Sequence, residues 1–317
     1  MRLLVSGAMG HVGYELVRQA AVNGLEVVAL YREQFRAADA AAVGPRVAWL
    51  RCDLADAAAV AAIAGAHRID ACIHAAAISN EAYAKPDPLA AIAANMTATA
   101  TLLEAARLNG WRRFVLVSTG SVFQLGIDPA RPILESQPPS PSNVYGTTKT
   151  GAELLTRMYR NVYGLSAAII RISWVYGPPI FTDSPTRGPV PSLLKRALAG
   201  EAIREDGGDF AASFTFVDDV AEGLLAAAVA PSLAHDIYHL GSGINFTARE
   251  VATAVTRAVP GAMIELGPGT LPWTSYTSLR GPLAGDRLKQ DTGYVVRHTL
   301  DAGIAAYAAW MRGTLSS

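Results

Sequence analysis

Cysteine is nearly absent from this 317-residue chain, which carries only two, Cys52 and Cys72. Two cysteines inside apolar runs build neither a disulfide framework nor a cysteine-rich metal site, and read as small buried hydrophobes in a reducing compartment. Charge is scarce as well, at 17% of residues against a usual share of about 25%. The 27 basic and 27 acidic side chains cancel. A chain with no net field disfavours nucleic-acid binding and electrostatic membrane binding, so any recognition of charge must be local. Long apolar runs are missing too. None approaches the roughly 18 residues of a membrane span, and Gly7, Gly10 and Gly13 break the apolar N-terminus before a signal-peptide core could form. These absences point to a compact cytoplasmic protein of one large or two medium domains.

What the chain has is alternation. Apolar runs at Leu3–Ser6, Val27–Tyr31, Val47–Cys52, Ala71–Ala75, Phe114–Ser118 and Ala168–Ile172 are separated by helical patterns. Strands apolar on both faces that alternate with helices predict a Rossmann-type α/β fold, a doubly wound parallel sheet. Helices are expected from Val12 to Ala21, Leu89 to Leu108 and Asn143 to Tyr163. Beyond Ile172 the segment VYGPPIFTDSPTRGPVPS reads as loop, followed by shorter elements that include a helix near Leu193–Ala199, a strand at Ile237–Leu240 and a helix at Ala248–Val259. The expected organisation is a dinucleotide-binding domain over 1–176, with 214–242 returning to it, and a smaller discontinuous substrate lobe that makes up most of 177–317.

The segment LLVSGAMGHVG places Gly7, Gly10 and Gly13 between the first strand and the first helix. Such a turn lets backbone approach a pyrophosphate, and the helix start offers free N–H groups and a positive dipole end. Met9, His11 and Val12 share this loop and count as cofactor-binding candidates. The second strand ends in Tyr31 and Arg32, with no acidic residue to hold a bare ribose. A guanidinium suits a 2′-phosphate, so NADP(H) is favoured, with NAD(H) as the alternative. Asp53 is placed for the adenine amine, with Leu54 beside the ring; Asp53 equally suits a cap for the following helix. Tyr145 and Lys149 lie four apart on one helix face, where an ammonium would lower the phenol's pKa and make Tyr145 a general acid/base. Thr119, at a strand's carboxyl end, would stand beside them. His235 and His239 lack a third ligand, so no metal site is expected.

The glycine pattern, the HAAA after the fourth strand, Asn95 in NMTATATLLEAA, STGSVF, YGTTK, VYGPP, FTFVDDVA and the closing DRLKQDTGY together resemble the extended short-chain dehydrogenase/reductase family, the NAD-dependent epimerase/dehydratase type. The resemblance implies Tyr145 as catalytic acid/base, Lys149 as the residue that tunes it and holds the nicotinamide ribose, and Thr119 as the hydroxyl that orients the substrate oxygen. It implies Ala75 and Ala76 as cofactor lining, Asn95 as structural support, Ser121 as a position facing the substrate, and a homodimer. Family members acting on nucleotide sugars carry Asn and Arg where this chain has Trp174 and Ala212, and dehydratases place Asp and Glu where it has Gly120 and Ser121.

The activity expected is therefore hydride transfer to or from a small hydroxyl or carbonyl compound, such as a sugar, sugar acid or lactone. Trp174, Arg187 and Arg280 are candidate substrate residues, the arginines for a carboxylate or small phosphate. A nucleotide-sugar epimerase with retained NAD is the alternative, and a non-catalytic cofactor-sensing protein a further one.

Overall fold

Seven of the apolar runs lie side by side in the computed structural model, which describes residues 1–315; the last two residues of the expected 177–317 lobe fall outside it. The strands are β1 (Arg2–Ser6), β2 (Glu26–Tyr31), β3 (Val47–Arg51), β4 (Ala71–His74), β5 (Arg113–Thr119), β6 (Ala167–Ile172) and β7 (Ile237–Leu240). They form one sheet in the order β7-β6-β5-β4-β1-β2-β3, with every neighbouring pair parallel. The order reverses between β1 and β4, which makes this a Rossmann-type doubly wound sheet whose ligand crevice is expected at that reversal, outside the strands' carboxyl ends.

Side chains of each strand alternate between two buried layers. Leu3 and Val5 enter a core with α1 (His11–Val22) and, far along the chain, Val220 and Leu224. Leu4, on the opposite face, packs with Val60 of α2 (Ala57–Ala66), Leu102 and Leu103 of α3 (Ala98–Leu108) and Ala152 of α4 (Val144–Tyr163). Burial of each such leucine contributes about 1.5–3 kcal/mol, and the period-2 pattern fixes the strand registers. A third core joins α5 (Pro189–Leu198), α7 (Ala248–Ala258) and α8 (Leu300–Leu315) with Tyr176, Phe210, Phe214 and Phe216; the helix carrying Val220 and Leu224 is α6 (Val217–Val229).

The structure departs from expectation in two segments. PVPS, read as loop, is the first turn of α5, where proline loses no hydrogen bond because the N–H there has no intrahelical partner. The expected Leu89–Leu108 helix is a short helix at Pro88–Ile92, a π turn at Ala93–Thr97 and then α3. This composite, Pro88–Leu108, is long and apolar enough by composition to cross a membrane, which the run-length reading did not anticipate. It packs against α4, where Asn95 is buried against Thr148, and it buries Thr99 against His74 of β4.

Candidate active site

The sequence leads from β1 directly into a tightly packed stretch of backbone. Gly7 has φ +68°, and a Cβ on it would stand 2.7 Å from the backbone of Ala76; a Cβ on Gly13 would overlap the Gly7 oxygen. Only glycine allows this approach of loop, helix and β4 end. Gly10 caps α1 without a side chain, so no hydroxyl or carboxylate occupies the first N–H groups of the helix. A cradle that any Cβ would fill, under an uncapped helix start, fits a dinucleotide pyrophosphate. Arg36 steadies the loop by donating 2.8 Å to the Met9 oxygen, while its guanidinium lies over the Tyr14 ring at 5.6 Å. His11 hydrogen-bonds the Gly177 oxygen at 3.0 Å, and burial holds it neutral with a pKa lowered to about 3.

This loop opens on one cleft of about 750 Å³, and every candidate from the sequence lines it: Gly7, Met9, Gly10, His11, Val12, Gly13, Arg32, Asp53, Leu54, Ala75, Ala76, Thr119, Ser121, Tyr145, Lys149, Trp174, Arg187 and Arg280. Arg32 sits at the rim, 56% exposed, against Glu33 at 3.1 Å. Asp53 accepts from the Ala55 N–H at 3.0 Å, which leaves capping of α2 to Asp56.

Tyr145 and Lys149 face inward from α4, whose start is held from two sides. Asn143 caps it by accepting from the Gly146 N–H, and Glu81 accepts from the Tyr145 N–H at 2.8 Å. The phenol faces the hydroxyl of Thr119, the last residue of β5, which favours its ionised form. The expectation that Lys149 lowers the Tyr145 pKa is corrected here. Burial raises it, and the cations opposing that rise are Arg280 and Arg187; Lys149 instead donates 2.8 Å to the Val117 oxygen. Burial also lowers the Lys149 ammonium to about 8, against the opposing charge of Glu153. Glu153 lies one turn further along α4, where it binds Arg171 through two hydrogen bonds of 2.9 and 2.7 Å and accepts from Ser118 at 2.5 Å.

Around this centre Asn95 donates 2.9 Å to Thr148 and accepts from the Ile78 N–H, tying the π turn to α4 and the β4 loop. His74 is buried between Ser6 and Thr99 at 2.6 and 3.0 Å. Trp174 is partly buried and meets Phe210 and Phe214 at ring distances of 5.4 and 6.3 Å, with the Gly188 backbone against its edge. Glu81, Arg36 and Glu153 carry no motif, and the sequence reading did not reach them.

A doubly wound sheet with a glycine cradle at its reversal defines a Rossmann-type enzyme scaffold. Residues 3–241 match the model of the NAD dependent epimerase/dehydratase family, and the chain belongs to that family. It is 31% identical, over 98% of its own length and 99% of the relative's, to a UDP-glucose 4-epimerase of Mycolicibacterium smegmatis. It is 34% identical, over 69% of each chain, to a dTDP-4-dehydro-6-deoxy-D-allose reductase of Streptomyces bikiniensis. Among solved structures it resembles the UDP-glucose 4-epimerase of Thermus thermophilus in complex with NAD, at a TM-score of 0.86, 27% identity and 99% coverage of both chains.

Proposed function

We propose that this chain moves hydride between a nicotinamide dinucleotide and a carbinol or carbonyl carbon of a small sugar-like compound. The observation that carries the reading is the meeting of Tyr145, Thr119 and Lys149 at the carboxyl end of β5, in the same cleft as the glycine cradle. The bound nicotinamide supplies a hydride acceptor or donor. Tyr145 takes the hydroxyl proton as the substrate C–H leaves, or gives a proton to the carbonyl oxygen in reverse, while Thr119 orients that oxygen. Lys149 would hold the dinucleotide's ribose when the cofactor is bound. The 2′-phosphorylated cofactor is our preferred form, because Tyr31 and Arg32 replace the acidic ribose ligand and the rim pair of Arg32 with Glu33 is exposed enough for phosphate to displace. Exposed Leu89, Ile92, Leu154 and Met158 on the helical layer of α4 support pairing of two copies.

The second reading, epimerisation of a nucleotide sugar with NAD retained, is favoured by the end-to-end similarity to UDP-glucose 4-epimerase. Against it, Trp174 packs on aromatic rings and Ala212 is buried, so two polar handles that the family offers to a diphosphate are replaced by apolar surface. Turnover followed at the reduced-nicotinamide absorbance tests both. Net oxidation or reduction of a sugar, sugar acid or lactone, lowered about 10²–10⁴-fold in Tyr145→Phe with dinucleotide affinity retained, is expected. Interconversion of UDP-sugars with no net absorbance change would overturn the first reading in favour of the second, and full activity in Tyr145→Phe would overturn both.

A further inference from the structure

Arg280 is 8% exposed, and its guanidinium donates 2.9 Å to the Gly120 oxygen and 2.9 Å to the Thr277 hydroxyl. Both partners are neutral. Among the described residues no carboxylate stands within ion-pair distance of Arg280, whereas the fully buried Arg171 is matched by Glu153. A guanidinium taken out of water without a counter-ion is costly. Arg113 is also buried on neutral oxygens but lies away from the cleft, whereas Arg280 lines it, where a ligand can supply the missing charge. Its place is informative. The Arg280 Cδ lies 3.7 Å from where a Gly120 Cβ would be, one residue from Thr119, so the charge borders the reaction centre.

The neighbours agree in sign. Arg187 lines the same cleft, half-buried, over the Tyr83 ring at 5.9 Å and, among the described residues, with no carboxylate partner. With Lys149, whose charge Glu153 faces from behind the cleft wall, this makes three cations at the Tyr145 end of the cleft, where the lining carboxylate is Glu81, engaged with the Tyr145 N–H. Trp174, backed by the buried Phe210 and Phe214, lines the cleft with an aromatic ring that offers no cation to a phosphate.

We propose that the substrate is a hydroxy or keto acid whose carboxylate binds Arg280, with Arg187 assisting, close to the carbon that exchanges hydride. The proposal rests on the hydride-transfer reading and narrows its substrate to short polyhydroxylated carboxylates, the aldonates and uronates. The guanidinium fork donates two parallel hydrogen bonds to the carboxylate and thereby fixes which hydroxyl faces Tyr145 and Thr119. No bond to the carboxylate is made or broken; its role is to position.

Calorimetric titration of the dinucleotide-bound protein with four- to six-carbon aldonates and uronates, each against its neutral sugar or alditol partner, reads the anion site without turnover. At least one acid is expected to bind about 100-fold more tightly than its partner, with that ratio collapsing in Arg280→Gln and partly restored in Arg280→Lys. Dinucleotide affinity within about threefold of wild type in both variants reports an intact fold. An acid preference absent across the panel, or unchanged in Arg280→Gln, overturns the proposal even if neutral compounds are turned over. Acid binding that depends on Arg280 without any absorbance change leaves the anion site standing and removes the hydride-transfer reading instead.

Discussion

The buried Glu153–Arg171 pair tests whether the floor of the site is held by charge or by packing. Arg171 has 0% of its side chain exposed and Glu153 3%; they are joined by two short bonds, and the guanidinium lies 4.9 Å from the Phe123 ring centroid. Removing one partner leaves a dehydrated charge that nothing compensates, which costs about 3–5 kcal/mol. Glu153→Leu and Arg171→Met should each lose that much. The double variant Glu153→Leu/Arg171→Met should lose only about 1–3 kcal/mol, because no charge is stranded and the main residue of damage is Ser118, whose hydroxyl loses its acceptor. The coupling between the sites is then at least about 3 kcal/mol, at the upper end of what neighbouring side chains show. Urea unfolding with unchanged m values measures all four corners of the cycle. Single losses below about 1 kcal/mol that simply add would refute the reasoning and mean that the pair is screened by water.

Two further outcomes follow from the cradle and from the buried imidazoles. Gly13→Ala drives a Cβ into the Gly7 oxygen and should cost about 1–3 kcal/mol in urea unfolding as well as dinucleotide affinity, whereas Gly65→Ala, in open space near the end of α2, should gain about 0.4–1 kcal/mol. His74 and His239 are buried, with pKa values lowered by desolvation to about 3. Each stays neutral in the fold while the unfolded chain takes up a proton below about pH 6.5, so the stability they hold is complete above that pH and falls as pH drops towards 3. Urea midpoints should show a loss of roughly 2 kcal/mol per histidine by pH 5, reduced in His74→Asn; a midpoint indifferent to pH across that range would contradict the assignment.

The sheet was readable because each strand announces itself locally. Val27 to Leu30 is apolar on both faces because helices cover both, and no distant partner is needed to see it. The glycine cradle and the Tyr145–Lys149 spacing are local in the same way. The contacts that make them a site are not. Arg36 reaches Met9 across 27 positions, Glu81 reaches Tyr145 across 64, and Arg280 reaches Gly120 across 160. Nothing in the residues around Arg280 separates a buried guanidinium from a solvated loop arginine; only its seating on the Gly120 oxygen, just past β5, does so. The π turn at Asn95 was hidden for the same reason, since its buried amide is satisfied by Ile78 and Thr148, neither of them on its own turn.

The same packing changes the chemical meaning of a neutral chain. The net charge of zero does not extend to the Tyr145 end of the cleft, where three cations meet one carboxylate around a phenol that burial holds in its protonated form. Arg280 and Arg187 are the charges that pull Tyr145 towards phenolate, while Lys149 is turned to the Val117 oxygen. A carboxylate seated on Arg280 would offset part of that pull and leave Tyr145 a phenol, the form that donates a proton to a carbonyl oxygen. A neutral ligand would leave the pull intact and favour the phenolate, the form that accepts a proton from an alcohol. On the proposed reading, recognition of the substrate's charge and the direction of proton transfer would be coupled through Arg280, which reaches the Gly120 oxygen just past β5 rather than lying in the Tyr-Lys motif itself.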